Sequence, residues 1–183
     1  REVPSIDVIR IGTRTPVTLP FRITDELARR LRAYHPVWIN THFNHPREVT
    51  PESSEACERL ADAGFPVGNQ AVLLRGVNDT ADVLEELFRK LIRIRVRPYY
   101  LSQCDLVAGV EHFRTPLRTG IRIMERLRAR LTGLAIPTFV IDLPRGSGKA
   151  PILPEYVISR TRLKTVLRTP GGRVSEYPEP RMR

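Results

Sequence analysis

The 183-residue sequence has no apolar run approaching the ~20 residues that a membrane-spanning helix requires, which excludes a protein that crosses a membrane by helices. Its first ten residues hold no apolar segment with a small-residue cleavage site, so we expect no signal peptide and a cytoplasmic location. Cys57 and Cys104 are too few thiols for a disulfide framework, or for a metal site with four cysteine ligands.

Lysine is also rare, since it occurs only at Lys90, Lys149 and Lys164, and arginine supplies the rest of a net charge of +10. A basic balance favours anionic partners, nucleic acids among them. The arginines, however, alternate with apolar residues in stretches typical of helices. The chain shows no helix-turn-helix spacing, zinc-finger spacing or aromatic stacking platform. We therefore expect solvated helix faces rather than a nucleic-acid-binding surface.

Segments rich in β-branched residues alternate with amphipathic segments along most of the chain. Strands are predicted at Ser5–Ile11, Val37–Phe43, Val67–Leu74, Val96–Leu101 and Pro137–Asp142, with an irregularity at Pro98 in the fourth. Helices are predicted between them, and their start signals are Thr24, Thr50-Pro51, Asp79 and Thr115-Pro116. Gly64 and Gly133 mark the ends of the second and fourth helices.

Four alternations of strand and helix predict an α/β fold made of parallel βα units. Four or five units are too few for a closed eight-stranded barrel, which leaves a small open sheet or the later part of a larger, TIM-like barrel. Shorter strand candidates at Tyr156–Ser159, Thr165–Leu167 and Val174–Tyr177 predict a small carboxyl-terminal β extension. We expect two units, the partial barrel at 1–143 and a lysine-containing loop with the extension at 144–183.

Polar side chains occur at the carboxyl ends of the predicted strands, where parallel α/β folds place their chemistry. His42 closes the second strand, Gln70 lies within the third, and Asp105 follows the fourth. Asp142 closes the fifth strand. This repetition favours a functional site more strongly than any single residue does.

A glycine-rich loop, Pro144–Ala150, follows the fifth strand and contains Lys149. Its spacing departs from the P-loop pattern, and Ala150 stands where a magnesium-binding hydroxyl would be, so a nucleoside triphosphate site is not predicted. Backbone amides of such a loop can bind a single phosphate, and a lysine beside it suits a pyridoxal phosphate enzyme. A surface turn with a solvated lysine fits the same residues.

The other polar residues also allow more than one interpretation. His42 and His45 can supply half of a metal site, but no spacing completes it, so we interpret His42 as a hydrogen-bonding contact to a ligand. Asp105 and Asp142 can bind a cationic substrate group, act as acid and base, or pair with neighbouring arginines.

Seven longer segments carry a specific combination of residues and together cover nearly the whole chain. They are RIGTRTPV at 10–17, HPVWINTHFNHPREVT at 35–50, LADAGFPVGNQAVLLRGVND at 60–79, IRVRPYYLSQCDL at 94–106, GVEHFRTP at 109–116, PTFVIDLPRGSGKAPILPEYVIS at 137–159 and SEYPEP at 175–180. In this combination the sequence resembles the lysine 2,3-aminomutase family of radical S-adenosylmethionine enzymes.

The resemblance implies a partial barrel and an isomerase that moves the α-amino group of L-lysine to the β-carbon, with pyridoxal phosphate and an S-adenosylmethionine-derived radical. It implies that Lys149 forms a Schiff base with pyridoxal phosphate, that Asp105 and Asp142 hold the distal ammonium of the substrate, and that His42 and Gln70 contact S-adenosylmethionine. It also implies a homo-oligomer in the full-length protein. Two alternatives within this class are an aminomutase that acts on arginine and one that acts on lysine used to modify a translation factor. The alternative from another class is a basic, non-catalytic module that binds nucleic acid.

The chain also departs from the family. In the family, the cysteines of a CxxxCxxC motif ligate the [4Fe-4S] cluster, and this sequence does not contain that motif. We therefore expect a carboxyl-terminal fragment whose cluster ligands lie outside the chain, and which is inactive alone. Ser102 stands where lysine-specific members often carry a tyrosine near the pyridine ring. Thr80 replaces a thiol that some members use for a structural zinc between subunits.

Overall fold

A half-barrel sheet of parallel strands forms the centre of the protein, whose computed structural model describes residue 3 and residues 5–180. Its five parallel strands lie in chain order: Ile9–Gly12 (β1), Val37–Thr41 (β2), Val67–Leu73 (β3), Val96–Gln103 (β4) and Thr138–Asp142 (β5). A sixth strand, Lys149–Pro151 (β6), pairs antiparallel with β5. The predicted α/β fold of parallel βα units is confirmed.

Helices connect the parallel strands. They are Thr15–Thr18 (α1), Asp25–Arg32 (α2), Pro51–Asp62 (α3), Ala81–Arg93 (α4) and Leu117–Arg130 (α5), with single 3-10 turns at Pro20–Arg22, Pro46–Glu48, Glu111–Phe113, Gly133–Ala135 and Pro144–Gly146. The predicted caps at Thr24 and Thr50 are confirmed, since their side chains accept hydrogen bonds from Leu27 N and Ser53 N.

Two predicted helix starts are wrong. Thr80 rather than Asp79 caps α4, because its hydroxyl accepts the hydrogen bond from Val83 N. Thr115 does not cap α5, which begins at Leu117 with Pro116 at the cap position. The side chain of Gln103 instead donates to the carbonyl and hydroxyl oxygens of Thr115, so a tertiary contact takes the place of the cap.

The first strand is shorter than predicted. Ser5–Ile11 was the expected range, whereas β1 begins at Ile9, which lies opposite Val37 at the start of β2. Residues 5–8 precede the first residue of β2 in this register and have no neighbouring strand with which to form a ladder. Conversely, β4 continues past Leu101 to Gln103 because Val72 and Leu73 of β3 provide pairing partners for Ser102 and Gln103.

The hydrophobic core lies between the helices and one face of the sheet. In α4 the side chains of Leu84, Leu87, Phe88 and Leu91 are fully buried and form the apolar face of the helix. Phe139 of β5 is also fully buried and packs against Gly120 of α5, where an added Cβ would lie 2.2 Å from its ring. Gly120 therefore permits the close approach of α5 to the sheet.

A separate antiparallel sheet follows, with strands Val157–Arg160 (β7), Lys164–Arg168 (β8) and Val174–Pro178 (β9). This confirms the predicted strands of the carboxyl-terminal extension. Within the described residues, no helix combines the length and apolar character needed to cross a membrane.

Candidate functional site

The sheet has one face against the helices and a second face, here called the open face, that points away from them. In β3, Asn69, Ala71 and Leu73 are buried on the helix side, whereas Gln70 and Val72 alternate with them and are partly exposed. The strand register places residues of neighbouring strands beside these two, so that Tyr100 pairs with Gln70 and Ser102 pairs with Val72. Polar side chains from neighbouring strands, such as Gln70, Tyr100 and Ser102, therefore lie together on the open face.

Lys149 and Asp142 form the closest charged contact on this face. Lys149 lies opposite Asp142 in the β5–β6 ladder, and its Nζ is 2.5 Å from Asp142 Oδ2. Both side chains retain solvent contact, with 36% and 46% of their areas exposed. The sequence predicted Lys149 in a loop, but it is the first residue of β6. The tight turn at Arg145, Gly146 and Gly148, all with positive φ, folds the chain back beside β5.

Two adjacent tyrosines lie next to this ion pair. The register between β3 and β4 shifts between Asn69 and Gln70, so that Pro98 pairs with Asn69, Tyr100 pairs with Gln70, and Tyr99 has no partner. This β-bulge brings the rings of Tyr99 and Tyr100 together, with centroids 3.9 Å apart and hydroxyl oxygens 3.1 Å apart. The Lys149 ammonium lies 5.6 Å from the centroid of the Tyr100 ring.

The sequence analysis did not identify Tyr99 and Tyr100 as site residues, although two features of the sequence pointed to them. Pro98 predicted an irregularity in this strand, and the structure places a bulge directly after it. Two consecutive aromatic residues followed, which a regular strand would send to opposite faces. The hydrogen bond with Tyr99 and burial both raise the pKa of Tyr100, so its ring belongs to a neutral phenol at neutral pH.

His42 lies just beyond the end of β2, partly buried. Burial, followed by the nearby positive charge of Arg14, lowers the pKa of His42 below its usual 6.5. Arg14 itself forms an ion pair of 2.8 Å with Glu48. His42 is consequently neutral at pH 7, and its ring nitrogens are able to donate one hydrogen bond and accept another.

Asparagine side chains connect the loops at this end of the sheet by hydrogen bonds. Asn78 is fully buried, donates to the carbonyl oxygens of Asn44 and Val72 and accepts from Leu74 N. His45 Nδ1 accepts from Arg47 N at the start of a 3-10 turn. Across the described part of the chain, no group of three or more His, Cys, Asp or Glu side chains is arranged to hold a metal ion.

Within residues 5–180, the other predicted site residues, Gln70 and Asp105, form no hydrogen bond or ion pair with Lys149 or Asp142. Gln70 lies on the open face beside Tyr100, partly exposed. Asp105 is exposed in the irregular segment after β4, and within the described residues its carboxylate forms no hydrogen bond or ion pair with Lys149 or with any arginine. The structure thus brings Lys149 and Asp142 into contact and leaves Asp105 at the neighbouring strand end.

Neither cysteine is suited to bind a metal on this face. Cys57 lies in α3 and is fully buried in the core, where burial raises the pKa of its thiol to about 12. Cys104 follows β4, and burial together with the charge of Asp105 raises the pKa of its thiol as well. Both are therefore thiols packed in the interior.

The sequence is similar to several aminomutases. Residues 124–183 match the family described as Lysine-2,3-aminomutase. The L-lysine 2,3-aminomutase of Clostridium subterminale is 58% identical over 180 residues, which are 98% of this chain and 43% of that protein. The L-lysine 2,3-aminomutase of Bacillus subtilis (strain 168) is 53% identical over 98% of this chain and 38% of its own length. The Glutamate 2,3-aminomutase of Clostridioides difficile (strain 630) is 52% identical over 95% of this chain and 41% of its own length.

A solved structure shares the architecture. A radical SAM methyltransferase from Sphaerobacter thermophilus matches 73% of this chain and 40% of its own chain, with a TM-score of 0.55 and 26% sequence identity. The chain spans about two fifths of the length of the curated relatives it matches. Because more than half of the residues are identical to these aminomutases across nearly its entire length, the chain belongs to the lysine 2,3-aminomutase family.

Proposed function

We propose that these residues form the later part of a pyridoxal phosphate-dependent aminomutase that converts L-lysine to L-β-lysine. The observation that carries the proposal is the primary amine of Lys149, which is accessible on the open face between Asp142 and the ring of Tyr100. The names of relatives at 53–58% identity support the same reaction class. Net conversion breaks the C–N bond at the α-carbon, forms one at the β-carbon and moves a hydrogen in the opposite direction.

Lys149 fits covalent attachment of pyridoxal phosphate. Its primary amine would hold the cofactor covalently through the aldehyde carbon, with the loss of one water. The turn before it contributes backbone N–H groups at Gly146 and Gly148, whose positive φ values allow a phosphate to approach the chain closely. When bound, pyridoxal phosphate would supply a conjugated ring system that stabilises the unpaired electron while the nitrogen migrates.

The described residues do not fit an iron–sulfur cluster. A cluster needs accessible thiolates, whereas Cys57 is buried in the core and Cys104 is buried at the end of β4. We therefore derive no step through a cluster from these residues. His42 and Gln70 are proposed as the contacts of this chain to S-adenosylmethionine, because both are polar and partly exposed, and because His42 directly follows β2 while Gln70 lies in the neighbouring strand β3.

The charge at the strand ends favours a cationic amino acid. Asp142 and Asp105 present two carboxylates at adjacent strand ends, which attract the distal ammonium of lysine and repel the side-chain carboxylate of glutamate. The proposal therefore separates this chain from its relative named Glutamate 2,3-aminomutase. Arginine carries the same side-chain charge and is the competing substrate, as is lysine destined for a translation factor. We expect the enzyme to be cytoplasmic and homo-oligomeric.

The proposal is tested by replacing Lys149 with alanine in the protein produced from the complete reading frame. We expect Lys149→Ala to abolish the visible absorption of bound pyridoxal phosphate, and borohydride reduction to leave no cofactor on the peptide that contains residue 149. Lys164→Ala is the matched control, because Lys164 is also half-exposed and also lies 2.5 Å from a carboxylate, that of Glu176. An unchanged cofactor spectrum in Lys149→Ala would refute the assignment.

A further inference from the structure

The bulge in β4 has one structural effect that bears on Lys149. Because Tyr99 is the extra residue of the bulge, it and Tyr100 lie on the same side of the sheet, and their rings contact each other. The hydroxyl of Tyr99 donates a hydrogen bond to the hydroxyl of Tyr100. The position of Tyr100 is thus fixed both by the pairing of β4 with β3 and by its contact with Tyr99.

Gly68 of β3 lies beside this arrangement. A Cβ added at Gly68 would lie 3.5 Å from the Cβ of Tyr99, which is an ordinary van der Waals contact, and 2.8 Å from Oδ1 of Asn40. The second distance is shorter than real Cβ contacts allow, so the side chain of Asn40 would have to shift. The position of the tyrosine pair therefore depends on the bulge of β4 against β3.

We propose that Tyr100 is a positioning residue for Lys149, a proposal that rests on the proposed function: its ring, fixed by Tyr99, holds the amine of Lys149 on the open face beside Asp142. The ammonium lies 5.6 Å from the ring centroid, within the range of a cation–π interaction. Asp142 contacts the same nitrogen at 2.5 Å. A lysine side chain has four rotatable bonds, and these two contacts select the rotamer in which the amine meets the cofactor aldehyde.

The test compares Tyr100→Leu with Tyr100→Phe in the complete protein, measured with pyridoxal phosphate alone and without S-adenosylmethionine or reductant. Tyr100→Leu removes the aromatic face, and we expect the dissociation constant for pyridoxal phosphate to rise roughly two- to five-fold, the loss that corresponds to one exposed cation–π contact. We also expect a weaker circular dichroism signal from the bound cofactor, because Lys149 then holds it in more than one orientation. Tyr100→Phe keeps the ring, and we expect both quantities to stay within about twofold of the original values.

Tyr34→Leu is the control for replacing a tyrosine, since Tyr34 is 54% exposed and follows α2, away from Lys149. A merely structural role for Tyr100 predicts that Tyr100→Phe and Tyr100→Leu lose cofactor affinity together and in proportion to thermal stability, which would overturn the proposal. So would an unchanged dissociation constant and dichroism in Tyr100→Leu. If Tyr100→Leu does not fold, Tyr100→Met, which keeps a flexible apolar side chain without a ring, is measured against the same expectations.

The two proposals fail in distinguishable ways. If Lys149→Ala leaves the spectrum of bound pyridoxal phosphate intact, the proposed function is wrong and the positioning role falls with it. If Lys149→Ala abolishes that spectrum while Tyr100→Leu changes nothing, the positioning role alone is wrong.

Discussion

Asp142 contacts one cation in this structure and is proposed to bind a second. Its carboxylate lies 2.5 Å from the amine of Lys149, and the distal ammonium of the substrate is proposed to reach the same group. Attachment of pyridoxal phosphate engages the Lys149 nitrogen, so the carboxylate becomes available to the substrate. Asp105 has no such competitor among the described residues. The two aspartates should therefore differ in their effects.

We expect Asp142→Asn to weaken both the attachment of pyridoxal phosphate and the binding of lysine, whereas Asp105→Asn weakens only the binding of lysine. The loss of lysine affinity should be about 2–5 kcal/mol for each where the complete protein desolvates the ion pair. Calorimetry with lysine and spectrophotometric titration with pyridoxal phosphate measure the two effects separately. Equal effects of the two variants on cofactor attachment would contradict this division of roles.

The pKa of His42 gives a second prediction about a single residue. Burial and Arg14 lower this pKa in the folded chain, whereas the unfolded chain has the ordinary value of 6.5. The unfolded state therefore binds more protons below pH 6.5, and the contribution of His42 to stability is complete above that pH and is lost as the pH falls. Arg14→Gln removes one of the two causes and should raise the pKa of His42 in an NMR titration.

Arg30→Gln is the matched control, because Arg30 is an exposed arginine with its own partner, Glu26. It should leave the titration of His42 unchanged. A pKa of His42 that does not move in Arg14→Gln would show that burial alone causes the shift.

Between α5 and β5, the packing depends on the absence of a side chain at Gly120. Alanine there gains about 1 kcal/mol of helix propensity but places a Cβ 2.2 Å from the buried ring of Phe139. Overpacking costs about 1–3 kcal/mol, so we expect Gly120→Ala to lower the free energy of unfolding by up to about 2 kcal/mol in denaturant titrations. Gly133→Ala, which meets no atom within 4 Å, should be close to neutral.

A double-mutant cycle checks the cause. Phe139→Leu shortens the side chain that the new Cβ meets, so Gly120→Ala should cost less in that background than in the original chain. Costs that simply add would show that Gly120 matters for another reason.

Part of the positive charge of the protein is paired with acidic residues on its own surface. Arginines of the helices pair with acidic residues one turn away or on the next helix, as Arg30 does with Glu26, Arg59 with Glu55, and Arg130 with Asp82. Such exposed pairs contribute little to stability individually. They agree with the solvated helix faces predicted from the sequence and weaken the alternative of a nucleic-acid-binding module.

The chain of 183 residues should not cleave S-adenosylmethionine reductively by itself. Both of its thiols are buried, and Cys57 has a pKa of about 12, so the protein offers no ligand set for a cluster that could deliver an electron. Formation of methionine from S-adenosylmethionine under reducing conditions is the measurement, with the product of the complete reading frame as the control. Turnover by the chain alone would contradict this expectation.

Much of the fold was predictable because its signals are local. The period of the apolar residues and the caps at Thr24 and Thr50 depend on neighbours within a few positions, and they predicted the five parallel strands and the four longer helices in the correct order. Errors arose where a distant partner decided the outcome. Thr115 was expected to cap a helix, but it is bound by Gln103, and β1 begins only where β2 offers a partner. The division into units at 1–143 and 144–183 stays a prediction.

For the site, the sequence by itself determined which chemical groups are available at the strand ends: the amine of Lys149, the carboxylates of Asp105 and Asp142, and the imidazole of His42. Only the tertiary structure decided which of these groups meet. The contact of Lys149 with Asp142 depends on an antiparallel return beside β5, and the pairing of Tyr99 with Tyr100 depends on a bulge against β3. Both are matters of register between strands, which arises from contacts across the sheet and leaves no periodic trace in the sequence.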